Sequence, residues 1–249
     1  MTMLQRRRMT HQTVLVQSGK LTRARFDKNM TWPEFKVFLI TAAQLTSKDQ
    51  DLVEFTTTVN DLCELANLGT ADPGRYQRVH HLLETITKRG VVIFKEAEEG
   101  GTERIYAQFF SEARYVEETR QIVFRLHPRM KEYLLQLKNY TLAKHLLELT
   151  SLDSVAQARF YMLVCDCCKL WNPALRTFPV LELAQILGLD VDVRSEPESQ
   201  VAYRIRRIYA AIQKKGVDIS FTLTFLKLNG RWLGRLNFPK HQKAVANYD

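Results

Sequence analysis

At 249 residues, with 45% hydrophobic and 25% charged side chains, the chain can bury a core and suits one large domain or two of about 100–120 residues. Its 36 Lys and Arg against 27 Asp and Glu leave a net charge of +9, so an anionic partner is expected. Apolar runs are too short to span a bilayer, and no apolar stretch follows Arg6-Arg7-Arg8, so neither a membrane helix nor a secretory leader is expected.

In chain order, residues 1–19 are polar and basic and are expected to form a flexible arm. Thr31-Trp32-Pro33-Glu34 is a capping box, and Phe35, Phe38, Leu39 and Ala42 follow at helical spacing. The β-branched run 55–59 predicts a strand leading into a helix over 60–68, with Asn60 as candidate cap and Gly69 as stop. Ala71-Asp72-Pro73-Gly74 make a turn, and a longer helix over 75–89 ends at Gly90. Segments 91–95 and 104–110 flank the acidic loop 98–101 and predict a β-hairpin, followed by a strand over 121–126. His127-Pro128 marks a break.

The second half repeats the plan. A helix is expected over 153–171, a strand over 176–178, a short helix over 180–187, a polar loop over 190–199 and a long helix over 200–215. Segments 217–228 and 231–238 form a hairpin through Asn229-Gly230, a type I′ turn signal. Val59, Leu62, Leu65 and Leu68 fall on Val180, Leu183, Ile186 and Leu189, an offset of 121. Arg78, Val79 and Leu82 fall on Arg204, Ile205 and Ile208, an offset of 126, the longer second loop supplying the difference.

Helix, strand, helix, helix, hairpin is the winged-helix order, in which the second helix of a helix-turn-helix enters the major groove and the hairpin rides on the backbone. The expected fold class is therefore α+β, two tandem winged-helix domains related by an internal pseudo-repeat. Domain 1 covers 20–127, serving DNA binding and dimerisation, because a free sheet edge there invites self-pairing. Domain 2 covers 128–249 and is the main DNA-binding domain.

Charge locates the candidate contacts. Residues 199–243 hold ten basic side chains against one acid, Asp218, which equals the whole positive excess of the chain. On the second long helix Ile205, Ile208, Tyr209 and Ile212 form the apolar face, leaving Tyr203, Arg204, Arg206, Arg207 and Lys214 opposite. The arginine fork suits guanine O6 and N7, so Arg206 and Arg207 are the candidate base readers and Arg204 serves either base or backbone. Lys214, Lys215, Lys227 and Arg231 suit phosphate. On the first long helix Arg75, Gln77, Arg78 and His81 point outward near its start, with the weaker signal because acids lie nearby.

Catalysis and metal binding find little support. Cys165, Cys167 and Cys168 diverge around a helix and lack zinc spacing, so buried reduced thiols and a cytoplasmic home are expected. His80-His81 are adjacent on a helix and diverge by about 100°, unlike the metal-binding pair of rolling-circle nucleases, where one residue intervenes. No phosphate-loop motif is present, so ATP use is not expected. The expectation is no enzyme, no cofactor and no metal.

Three stretches carry a family resemblance. Val16-Gln17-Ser18-Gly19-Lys20-Leu21-Thr22 is similar to a "V-x-S-N-x-L" opening, with Gly19 where Asn is common. Residues 156–168, with Arg159, Phe160, Tyr161 and Leu163, are similar to an "A-x-R-L-Y-x-x-L" helix, with Phe160 where Leu is usual. Residues 202–212, with Arg204, Arg206 and Arg207, resemble an arginine-rich recognition helix. Together they resemble the iteron-binding Rep_3 plasmid replication initiators over residues 16 to 238. The resemblance implies monomers on repeated double-stranded origin sites, dimers formed through the first domain that repress the initiator's own gene at an inverted repeat, and contacts with the host initiator and replicative helicase. The alternative is a winged-helix transcriptional repressor with no initiator role, since fold alone does not separate the two.

Overall fold

The computed structural model describes residues 15–45, 49, 51–52, 54–66, 68, 73–96, 102–135, 140–143, 146–168, 176–192, 195–216 and 220–239. It divides into two units, Met1–Thr150 and Ser151–Asp249.

The first unit runs β1 (Leu15–Ser18), α1 (Gly19–Arg23), β2 (Arg25–Phe26), α2 (Trp32–Ala42), β3 (Glu54–Thr58), α3 (Val59–Ala66) and α4 (Arg75–Ile86). Four strands follow: β4 (Gly90–Glu96), β5 (Thr102–Gln108), β6 (Phe110–Val116) and β7 (Gln121–Leu126). A 3-10 turn at Pro128–Met130, α5 (Lys131–Leu134), β8 (Tyr140–Ala143) and α6 (Leu146–Ser151) lead to the boundary. Helix α2 is buried around its circumference, Glu34, Lys36 and Thr41 included, with Phe35, Val37, Phe38 and Leu39 fully enclosed. Phe38 meets Phe109 at 4.3 Å and Phe26 meets Phe109 at 5.0 Å, so one aromatic cluster joins helix to sheet. The capping box forms: the Thr31 amide donates to Glu34 Oε2 at 2.7 Å and the Glu34 amide to Thr31 Oγ1 at 3.4 Å. The Glu34 carboxylate, only 2% exposed, also takes Arg89 Nε at 2.9 Å.

The second unit contains α7 (Val155–Cys167), β9 (Thr177–Pro179), α8 (Val180–Ile186), α9 (Glu198–Lys214), β10 (Thr222–Leu228) and β11 (Arg231–Asn237). Strand β11 lies between β10 and β9. Its core holds Phe160, Leu163, Leu183, Val201, Ile205, Ile212 and Phe221, with Phe160 and Phe221 edge to face at 5.9 Å. Asn229 and Gly230 take φ of 49° and 80°, the left-handed pair a type I′ turn needs.

The pseudo-repeat is real in topology, but its first copy is wired differently from the sequence expectation. The hairpin directly after α4 is not the counterpart of β10–β11. Strands β4 and β5 pair with β2 in a separate sheet, whereas β3 pairs with β7 and β7 with β6. The order β3-β7-β6 matches β9-β11-β10, so the first wing is β6–β7 and β4–β5 is an insertion before it. Apolar runs identify strands without saying which strand they pair with.

Other boundaries also moved. Leu15–Ser18, expected in the flexible arm, form β1 on β8, Gly19 opens α1, and residues 1–14 lie outside the described residues. Because β8 comes from beyond the His127-Pro128 break, the first unit runs on to Thr150. Thr58, not Asn60, caps α3: its hydroxyl accepts the Asp61 amide at 3.2 Å. The helix expected over 153–171 starts at Val155, capped by Ser154, and a separate short helix, α6, precedes it.

Candidate nucleic-acid interface

Helix α9 follows Pro197 and opens with Glu198 in its first turn, two residues earlier than the sequence reading placed it. Val201, Ala202, Ile205 and Ile212 bury one face. Each large apolar side chain there contributes roughly 1.5–3 kcal/mol, which fixes the rotation of the helix. The opposite stripe is therefore presented outward: Gln200, Tyr203, Arg206, Arg207, Ala210 and Lys214 are exposed, Tyr203 by 60%. From Tyr203 to Lys214 the stripe runs about 16 Å along the axis, long enough to follow a major groove.

The wing is fastened to this helix at three points. The Trp232 amide donates to Glu198 Oε2 at 2.7 Å. Arg206 stacks its guanidinium over the Phe225 ring at 5.3 Å. Tyr209 donates its hydroxyl to the Phe221 carbonyl at 3.3 Å. Lys227 and Arg231, exposed beside the Asn229-Gly230 turn, extend the cationic surface along the hairpin.

The predicted side chains thus divide by job. Arg204 is not free: its Nη1 bonds Glu196 Oε2 at 2.9 Å and the Asp190 carbonyl at 3.0 Å, anchoring the loop ahead of α9. Arg207 is exposed and in no ion pair among the described residues. Arg206 is exposed yet oriented by Phe225. Lys214 is exposed, and Lys215 reaches Asp153 Oδ1 at 2.8 Å.

On α4 the buried face is Val79, Leu82, Leu83 and Ile86. Gln77 and His81 are exposed, as are Tyr76 and His80. Arg75 lies over the Tyr76 ring at 5.2 Å, and Arg78 Nε donates to the Leu68 carbonyl at 2.9 Å, closing the turn between α3 and α4. His80 packs edge to face on Tyr115 of the first wing at 6.2 Å. This surface is more aromatic and less cationic than that of α9.

Among the described residues no group of three or more His, Cys, Asp or Glu is arranged to hold a metal ion, and no helix is long and apolar enough to cross a membrane. Cys63, Cys165 and Cys167 are buried and Cys168 is half-buried. Arg159, singled out in the α7 resemblance, is 1% exposed, and burial lowers its pKa to about 9, so it is a core group rather than a contact. Sequence reading missed Glu198 and Phe225 as the wing's anchors. Pro197 followed by an acid was a helix-start signal that would have brought Glu198 into view.

The fold has counterparts among known proteins. A family model described as "Initiator Replication protein, WH1" matches residues 14–165. The solved structure "Crystal structure of Pi initiator protein in complex with iteron DNA" superposes with a TM-score of 0.66 at 16% identity, covering 93% of this chain and 100% of that one. No curated protein matches the chain.

Proposed function

We propose that this chain, which belongs to the initiator replication protein family, starts plasmid replication by binding repeated duplex sites at an origin. The observation that carries the reading is the exposed stripe Tyr203, Arg207 and Lys214 on α9, flanked by a wing that Glu198 and Phe225 hold in place. Arg207 and Arg206 read base edges in the major groove, while Lys214, Lys227 and Arg231 neutralise phosphates. Helix α4 makes the lighter contact, through Gln77 and His81. The iteron DNA bound by the Pi initiator supports repeats as the target here.

The same chain, as a dimer through its first unit, represses its own gene at an inverted repeat. It works in the cytoplasm, catalyses no reaction of its own, and contacts the host initiator and replicative helicase. Binding of the purified chain to the repeats beside its gene, titrated with salt, tests the proposal. The logarithm of affinity falls with log salt at a slope of about −0.9 per neutralised phosphate, and specific sites outcompete scrambled DNA. Equal affinity for both sequences overturns the reading.

A further inference from the structure

The open face of the β2-β4-β5 sheet carries a second concentration of charge that the DNA reading does not use. Arg25, Val92 and Tyr106 sit side by side across the three strands. With Lys28, Lys88, His127 and Arg129 they surround a cleft of about 790 Å³, within the range of small-ligand sites. Its floor is firm: Phe26, Val91 and Ala107 are buried beneath it, and a Cβ on Gly90 would come within 2.6 Å of the Ala107 carbonyl oxygen, so the backbone there stays bare.

Four full positive charges line one cleft, and the three from residues 1–127 stand out in a stretch where 18 basic and 16 acidic side chains nearly cancel. The single acid in the lining, Asp27, is already engaged, its Oδ1 accepting the Asn29 amide at 2.9 Å and its Oδ2 facing Arg89 at 3.8 Å. Among the described residues Arg25 and Lys88 are in no ion pair. His127 accepts the Arg129 amide on Nδ1 at 3.2 Å, which leaves Nε2 as its outward nitrogen. Arg129 donates to the Tyr106 carbonyl at 3.3 Å, so it is held at the rim.

The cations come from three separate segments, and β2 and β5 are two strand spacings apart, about 10 Å. One phosphate is too small to engage both sides. The Tyr106 ring, 66% exposed and in no aromatic contact among the described residues, is a flat surface beside the charges. Together these are the two halves of nucleotide recognition: cations for a phosphate chain and a ring for a base. We infer that this cleft binds a nucleoside polyphosphate as a ligand, independently of the DNA-binding stripe on α9.

Calorimetry on the full chain tests it with ATP, AMP, adenosine and inorganic tripolyphosphate as probes. ATP binds more tightly than AMP, and adenosine does not bind. The Arg25→Ala/Lys88→Ala double variant weakens ATP by about tenfold or more while leaving duplex DNA affinity unchanged. Tyr106→Ala weakens ATP but not tripolyphosphate. Absence of ATP binding to the wild type, or variants that bind it as the wild type does, overturns the proposal. So does tripolyphosphate binding as tightly as ATP regardless of Tyr106, and so does a single-stranded oligonucleotide occupying the cleft where ATP does not.

Discussion

Two arginines three positions apart on α9 should fail in opposite ways when replaced. Arg204→Ala leaves the Glu196 carboxylate, 19% exposed, facing the Asp190 carbonyl with no cation between them. An exposed pair is worth about 0.2–1 kcal/mol and breaking a fully buried one costs about 3–5, so this half-buried pair should cost about 1–2 kcal/mol of folding stability. In a unit the size of Ser151–Asp249, each 1 kcal/mol lowers the melting midpoint by roughly 4–8 °C. Arg207→Ala removes an exposed side chain with no partner to orphan, so stability should stay within about 0.5 kcal/mol. Its loss falls on DNA instead: about 1–3 kcal/mol on the specific repeat, roughly a 5- to 150-fold rise in Kd, and much less on scrambled duplex. Thermal unfolding and fluorescence anisotropy on the same preparations separate the two profiles. Arg204→Ala weakening DNA binding without lowering the midpoint, or Arg207→Ala weakening specific and scrambled DNA equally, would refute this division of roles.

Glu198→Ala removes one of the three ties between the wing and α9, so amide exchange across β10–β11 should rise several-fold and specificity for the repeat should drop; unchanged exchange contradicts the anchor. Burial pushes the Glu34 carboxyl up, but bonds from Thr85, from the Thr31 amide and hydroxyl and from Arg89 outweigh it and hold it below the usual carboxylate range. Its contribution is present above the unfolded carboxyl's pKa and lost as pH falls through the lower folded value, so Glu34→Gln should cost about 2 kcal/mol or more in urea unfolding at neutral pH, and the gap to wild type should close in acid. Gly90→Ala drives a Cβ into the Ala107 carbonyl, costing about 1–3 kcal/mol of the first unit's stability, measured as faster exchange in β4 and β5.

Local signals carried far in this chain. The capping box at Thr31, the buried Ile205 and Ile212 of α9 and the Asn229-Gly230 turn were all legible, because each is set by residues a few positions apart, whereas Ile208 and Tyr209, expected on the same face, are only half-buried. Partner choice across long stretches was not. Nothing in the apolar pattern of 91–110 says that β4 pairs with the two-residue strand β2 rather than with β3, or that 140–143 returns to pair with β1. The same distinction holds at the interface. Charge marked Arg204, Arg206 and Arg207 alike, and only three-dimensional placement ties the first to Glu196 and the second to Phe225, leaving the third unpaired among the described residues. Glu198 lies just ahead of the basic run 199–243, where charge does not single it out, and is an anchor of the wing in the fold.

The central claim is that the outward stripe of α9 reads duplex DNA. Hydroxyl-radical footprinting of the full chain on the repeats beside its gene tests it most directly, comparing wild type with a Tyr203→Ala/Arg207→Ala variant shown to be folded by circular dichroism. Protection of each repeat by the wild type, and its loss with the variant, is the expected result. A folded variant that protects the repeats as the wild type does contradicts the account.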